Sequence, residues 1–118
     1  MILVDTSVWV DHLRGTESGL VDLLADGQVL THPFIIEEHA CGSLAKREEF
    51  IDLISSLPTT TVAQHREVLE LITNKRLYST GLGSVDVHII ASAMLDGVRI
   101  WSKDKILSRE AKRLGIDY

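Results

Sequence analysis

Apolar residues fall along this chain in short blocks of two kinds, compact runs and spaced stripes. Ile2-Leu3-Val4 is a continuous apolar run that stops at Asp5, and it predicts a first buried strand. Thr6 and Ser7 offer N-cap chemistry for a helix through Val8, Trp9, Val10 and Leu13 that ends at Gly15. Thr16 or Ser18 opens a second helix, with Leu20, Val21, Leu23, Leu24 and Ala25 before Gly27. Val29 to Thr31 predicts a strand. Pro33 suits a first helical turn, and the apolar positions Phe34, Ile35, Ile36, Ala40 and Cys41 lead to Gly42. Lys46 to Leu57 reads as a helix stopped by Pro58. The β-branched stretch Thr59 to Val62 predicts a strand. Ala63 to Leu77 is helical, Ser79 to Gly83 a glycine loop, and Val85 to Leu95 a helix so apolar that it belongs at the centre. Val98 to Trp101 predicts a strand, Lys105 to Leu114 a helix, and Gly115 to Tyr118 a last strand.

Strands alternating with helices argue an α/β fold with a mostly parallel sheet. The 118 residues show no linker, repeat or low-complexity segment, so one domain over 1–118 is expected. Hydrophobic residues at 45% and charged ones at 25% exclude a disordered chain. The longest stretch without Asp, Glu, Lys or Arg, Leu53 to His65, contains Pro58 and five hydroxyl residues, so it cannot span a membrane. The N-terminus lacks the basic region of a signal peptide, and a cytoplasmic location follows as the default. A single cysteine, Cys41, excludes an internal disulfide and a multi-cysteine zinc site, and its apolar neighbours read as packing. The five histidines lack zinc spacing, and Gly81-Leu82-Gly83 lacks the rest of a nucleotide-binding loop. Trp9 reads as core, and His88 as a core or supporting residue.

The net charge of -5 argues mildly against a generic nucleic-acid binder, but its distribution is uneven. Arg99 to Arg113 carries +4 and the remainder -9. Taken alone, that basic segment reads as a solvated helix face, although a local basic face can bind phosphates on an acidic protein.

Four carboxylates are candidates for shared chemistry. Asp5 follows the first strand, Asp104 lies just past a later one, Asp86 opens the apolar helix, and Glu38 sits in the helix begun by Pro33. In parallel sheets, ligands gather at the carboxyl ends of strands near a topological switch. Each acid has a plain structural role open to it: a cap for Asp5, a helix-dipole partner for Asp86, a turn for Asp104, a solvated ion pair for Glu38. Together at one edge they would repel, and a divalent cation with a taste for hard oxygen, Mg²⁺ or Mn²⁺, would offset that repulsion. Such an ion suits phosphodiester hydrolysis.

Four segments carry a resemblance. They are Ile2-Leu3-Val4-Asp5-Thr6-Ser7-Val8-Trp9, His32 through Leu44 (HPFIIEEHACGSL), Gly81 through Ala93 (GLGSVDVHIIASA), and Trp101-Ser102-Lys103-Asp104-Lys105-Ile106-Leu107. In this order and over nearly the whole chain, they resemble PIN-domain ribonucleases of the VapC type, the toxins of toxin–antitoxin pairs. The resemblance implies a three-layer fold with a five-stranded parallel sheet flanked by helices. It implies Mg²⁺- or Mn²⁺-dependent endonuclease activity on RNA, an antitoxin partner and a homodimer. By resemblance, Asp5, Glu38, Asp86 and Asp104 are the catalytic acids of the metal site, and Thr6 is a supporting hydroxyl. Lys103, Lys105 and Arg109 are candidates for contacts to the RNA backbone. Two positions depart from the pattern. Glu37 stands where relatives usually have a small or apolar residue, and Glu38 is carried over because it lies four residues before Gly42. Ser84 replaces a bulkier residue.

Two other classes compete. One is a phosphatase with Asp5 as nucleophile, but the best-known enzymes of that kind carry a second Asp where Ser7 stands. The other is a non-catalytic PIN-like module that only binds RNA or protein.

Overall fold

Three short strands form one parallel sheet in the order β2-β1-β3: β1 is Ile2–Val4, β2 Val29–Leu30 and β3 Arg99–Trp101. The computed structural model describes all residues, 1–118. β1 is central, with Leu3 opposite Leu30 on one side and Ile100 on the other. Its first neighbour comes next in the chain and its second comes last, so the carboxyl end of β1 is a topological switch, the place where such sheets bind ligands.

The two outer strands of the expected five shrink to single parallel bridges, Thr31 with Thr59 beyond β2 and Ile100 with Asp117 beyond β3. Each rests on two backbone hydrogen bonds. Thr31 N donates to Pro58 O at 2.9 Å and Thr60 N to Thr31 O at 3.0 Å; Ile100 N donates to Ile116 O at 2.7 Å and Tyr118 N to Ile100 O at 2.9 Å. The direction and place of the outer strands match expectation, but the ladders do not extend. Between Thr60 and Ala63 the chain turns Thr61 and Val62 outward, and Thr61 N bonds the carboxylate of Asp96 instead of a strand.

Seven helices surround the sheet: α1 Thr6–Leu13, α2 Gly19–Ala25, α3 Pro33–Cys41, α4 Arg47–Ser55, α5 His65–Asn74, α6 Ser84–Asp96 and α7 Lys105–Arg113. None is long and apolar enough to cross a membrane. α6 is the central one, with Val87, Ile89, Ile90, Ala91, Ser92 and Ala93 all buried. It stops where Gly97 takes the left-handed conformation, φ 65°, which a Cβ would disfavour. α6 and α7 pack on β3, α5 on α6, and α1 and α4 on α3. One continuous apolar core includes Leu3, Val8, Trp9, Leu20, Ile35, Ile54, Ile89, Ile90, Ile100 and Leu107. Cys41 is not part of it: it ends α3 on the outer side and is exposed, because α3 buries only Ile35 and His39.

Helix entries differ from the expected capping in a way that shapes the site. Asp5, not Thr6 or Ser7, is the N-cap of α1, and its side chain makes no capping bond. Ser18 caps α2 by position only; the carboxylate of Glu17 accepts from Gly19 N at 2.7 Å. His32 caps α3 through its ring, with Phe34 N donating to Nδ1 at 3.0 Å. That bond makes Nδ1 the acceptor, so Nε2 carries the proton and donates to the buried Ser92 hydroxyl at 3.1 Å.

Candidate active site at the carboxyl edge of the sheet

Asp5 leaves β1 at the switch point. It is only 6% exposed, and its backbone N continues the ladder to Trp101 O at 2.9 Å. A buried carboxylate needs donors. Two serines supply them: Ser7 Oγ donates to Oδ2 at 2.7 Å and Ser102 Oγ to the same oxygen at 2.8 Å. Each hydroxyl has one proton and has spent it on Asp5, so their 3.3 Å approach to one another is contact without a hydrogen bond. Both serines then accept from the chain leaving β3, Ser7 across the gap from Lys103 N at 2.9 Å and Ser102 from Asp104 N, two residues on, at 3.0 Å. The ends of β1 and β3 are thereby sewn together around Asp5.

Asp104 caps α7, Oδ1 accepting from Leu107 N at 2.8 Å. Glu38, on α3, has Oε1 held by the Thr6 hydroxyl at 3.0 Å. Asp86, in the first turn of α6, has Oδ2 weakly held by Gly83 N at 3.4 Å. The pattern repeats four times. One oxygen is tethered, and the other (Asp5 Oδ1, Glu38 Oε2, Asp86 Oδ1, Asp104 Oδ2) has no hydrogen-bond partner in the protein.

Glu38 and Asp86 feel their acidic neighbours. Glu38 is held above the ordinary carboxylate range, first by desolvation and then by Asp5 and Asp86, with the Thr6 bond opposing. Asp86 is likewise raised, first by desolvation and then by Asp5 and Asp104, with Gly83 N opposing. Such crowding of hard oxygen donors is the chemistry a divalent cation relieves. The side chains nevertheless stand apart as placed: no three His, Cys, Asp or Glu side chains form a closed metal-binding group. The fit to a cation is therefore one of donor type and neighbourhood. Glu37, the adjacent acid on α3, is exposed and its carboxylate makes no hydrogen bond or ion pair, and the Thr6 tether falls on Glu38.

The basic segment is largely spent inside the chain. Lys103 Nζ pairs with Glu17 at 2.7 Å and Asp11 at 3.3 Å. Arg109 pairs with Glu110 at 3.0 Å and donates to Thr80 O at 2.7 Å; Arg113 pairs with Glu110 at 2.8 Å and donates to Lys75 O at 2.8 Å. Of the three expected RNA contacts, Lys105 alone is exposed and unpaired.

Sequence reasoning passed over Ser7 and Ser102 as working residues. Ser7 was legible as a hydroxyl two positions after a strand-end Asp; nothing local marks Ser102. Gly81 in the preceding loop has φ 93°, and a Cβ there would meet Ile106 Cδ1 at 3.0 Å, so its glycine serves close packing of the loop on α7.

The family model described as PIN domain matches residues 2–113. Proteins named Ribonuclease VapC32, from two strains of Mycobacterium tuberculosis, are 44% identical to this chain over 117 residues, which is 98% of this chain and 94% of theirs. The crystal structure of PAE2754 from Pyrobaculum aerophilum superimposes with a TM-score of 0.66 at 16% identity, covering 92% of this chain and 83% of that one, a likeness of fold.

Proposed function

This chain belongs to the PIN-domain family, and from that premise we propose that it is an endoribonuclease of the VapC type, the toxin of a toxin–antitoxin pair. RNA is its substrate and an antitoxin protein its partner. It acts in the cytoplasm as a homodimer of single-domain chains. The reaction depends on a divalent cation, Mg²⁺ or Mn²⁺, held by Asp5, Glu38, Asp86 and Asp104. The observation that carries this reading is the repeated arrangement of one tethered and one free oxygen on those four side chains.

A bound cation would neutralise the crowded acids and polarise a phosphate oxygen of the RNA. The protein's own groups do the positioning. Ser7 and Ser102 fix Asp5 with Oδ1 facing away from their hydroxyls, and Thr6 fixes Glu38. A free carboxylate oxygen at this edge takes the proton that an attacking water releases as the phosphodiester bond breaks.

The test is Asp5→Asn. An asparagine oxygen still accepts from both serines, so the fold survives while a charge is lost. RNA cleavage with Mg²⁺ present is expected to fall by at least about a hundredfold. Cleavage at the wild-type rate would refute the assignment.

A further inference from the structure

A groove of about 410 Å³ runs from Thr6 and Glu38 along α1 to the turn between α3 and α4. We propose that it holds one unstacked nucleotide of a single-stranded RNA, next to the bond that is cut, with Arg14 on its phosphate. The proposal rests on the nuclease reading above and adds the residues that grip the substrate.

Size and continuity come first. The volume lies within the roughly 300–1,000 Å³ of small-ligand pockets. The groove shares Thr6 and Glu38 with the acidic edge, so a strand whose phosphate reaches those acids has its neighbouring nucleotide here. Val10, Leu44 and Ala45 give apolar wall that suits the face of a base, and such packing accepts any base.

Charge points the same way. RNA approaching four carboxylates on an acidic chain needs a cation close by. Most cations of the Arg99–Arg113 segment are committed to Glu17, Asp11, Glu110 and backbone carbonyls. Arg14, on the groove wall, is exposed, and its guanidinium has no ion pair or hydrogen bond within the chain. Polar groups without partners line the same wall. The Ser43 hydroxyl has none, and His39, 3% exposed, has its Nε2 buried and unpaired. The exposed Ser43 hydroxyl beside an apolar surface matches a base, which presents polar edges around a flat apolar face.

The experiment uses a short mixed-sequence single-stranded RNA carrying thiouridine. Photocrosslinking with peptide mapping and equilibrium binding are measured on the full chain, with cleavage followed in parallel. Arg14→Ala and Ala45→Trp are the variants. Both positions are exposed, so both variants keep the fold, and the tryptophan fills the groove. Expected are crosslinks to residues 10–14 or 42–45 and roughly tenfold weaker binding in each variant. Crosslinks confined to the Lys105 and Lys112 face, unchanged affinity in both variants, or a groove filled only by a protein segment would overturn the proposal. The two readings separate cleanly. Groove crosslinks without cleavage would uphold the groove and sink the nuclease; equal cleavage by wild type and both variants would do the reverse.

Discussion

The hydroxyl of Ser102 donates to Asp5 Oδ2 at 2.8 Å, joining residues 97 positions apart in the chain. Ser7 donates to the same oxygen from the other side. The acid at the centre of the site is therefore positioned by two side chains that the motif pattern treats as bystanders. Their work is to keep one carboxylate oxygen occupied so that the other stays free and aimed.

Ser102→Ala removes one of two donors to a buried carboxylate. A loss of about 1–2 kcal/mol in stability is expected, with RNA cleavage reduced about tenfold. Urea denaturation and a cleavage time course measure the two effects. Because both serines serve one oxygen, the Ser7→Ala, Ser102→Ala double variant departs from additivity. A Ser102→Ala protein as stable and active as wild type would remove the positioning role.

Divalent cations are expected to stabilise the folded chain, since only there are the acids of the site neighbours that raise one another's charge cost. Mg²⁺ or Mn²⁺ at a hundred times its dissociation constant adds about 2.7 kcal/mol, read as a rise in melting temperature. Glu38→Gln and Asp86→Asn should blunt that rise. Without metal the sign reverses. Both carboxyls sit above their ordinary range, so their ionised forms oppose folding at neutral pH, and neutralising either leaves stability equal or higher.

His32 predicts an acid-sensitive fold. Burial, with His88 nearby, lowers its pKa to about 4 from an ordinary 6.5. Above that ordinary value the ring is neutral in folded and unfolded chain alike. As pH falls below it, only the unfolded chain takes up the proton, so stability drops until the folded ring also protonates near pH 4. The loss from this residue is about 2 kcal/mol between pH 7 and pH 5. His32→Asn keeps an N-cap acceptor for Phe34 N and should flatten this part of the profile. Parallel profiles for wild type and variant would contradict the assignment.

Glu110 is 4% exposed, yet it is ionised between Arg113 and Arg109. Burial works to raise its pKa, and the two arginines outweigh that and hold it below the ordinary range. Its contribution is therefore complete at neutral pH and is lost only as pH falls through that lowered value. The same arginines hold the carbonyls of Lys75 and Thr80, which steadies the loop leading to Asp86. Glu110→Gln should cost about 1.5–3 kcal/mol in chemical denaturation and speed amide exchange in residues 75–83. Unchanged exchange there would show that the loop is held by other means.

Much of this arrangement is legible in the chain. The run Ile2-Leu3-Val4, the apolar helix through Val87 and Ile90, and the stop at Pro58 mark elements by local rules, and those elements are present. The outer strands were harder. Thr59 to Val62 has β-branched composition, but composition cannot reveal that Thr61 N is claimed by Asp96. Cys41 shows a similar limit: apolar sequence neighbours do not say which side of a helix turns inward. The basic run from Arg99 to Arg113 looked like one surface, and most of it proved to be internal bracing, because ion pairs depend on which loops lie alongside.

Sequence alone determined the alternation of strands and helices, the acid that follows each key strand, and the family motifs, since these depend on residues close together in the chain. Tertiary structure decided the rest. It chose which oxygen of each acid is tied down, enlisted Ser7 and Ser102, left Arg14 unpaired beside a groove, and set the protonation of His32. The bonds of Ser102 to Asp5, Thr6 to Glu38 and His32 to Ser92 each require groups from distant segments to meet, and hydrogen bonds and charges acquire their strength only once the fold has brought the partners together.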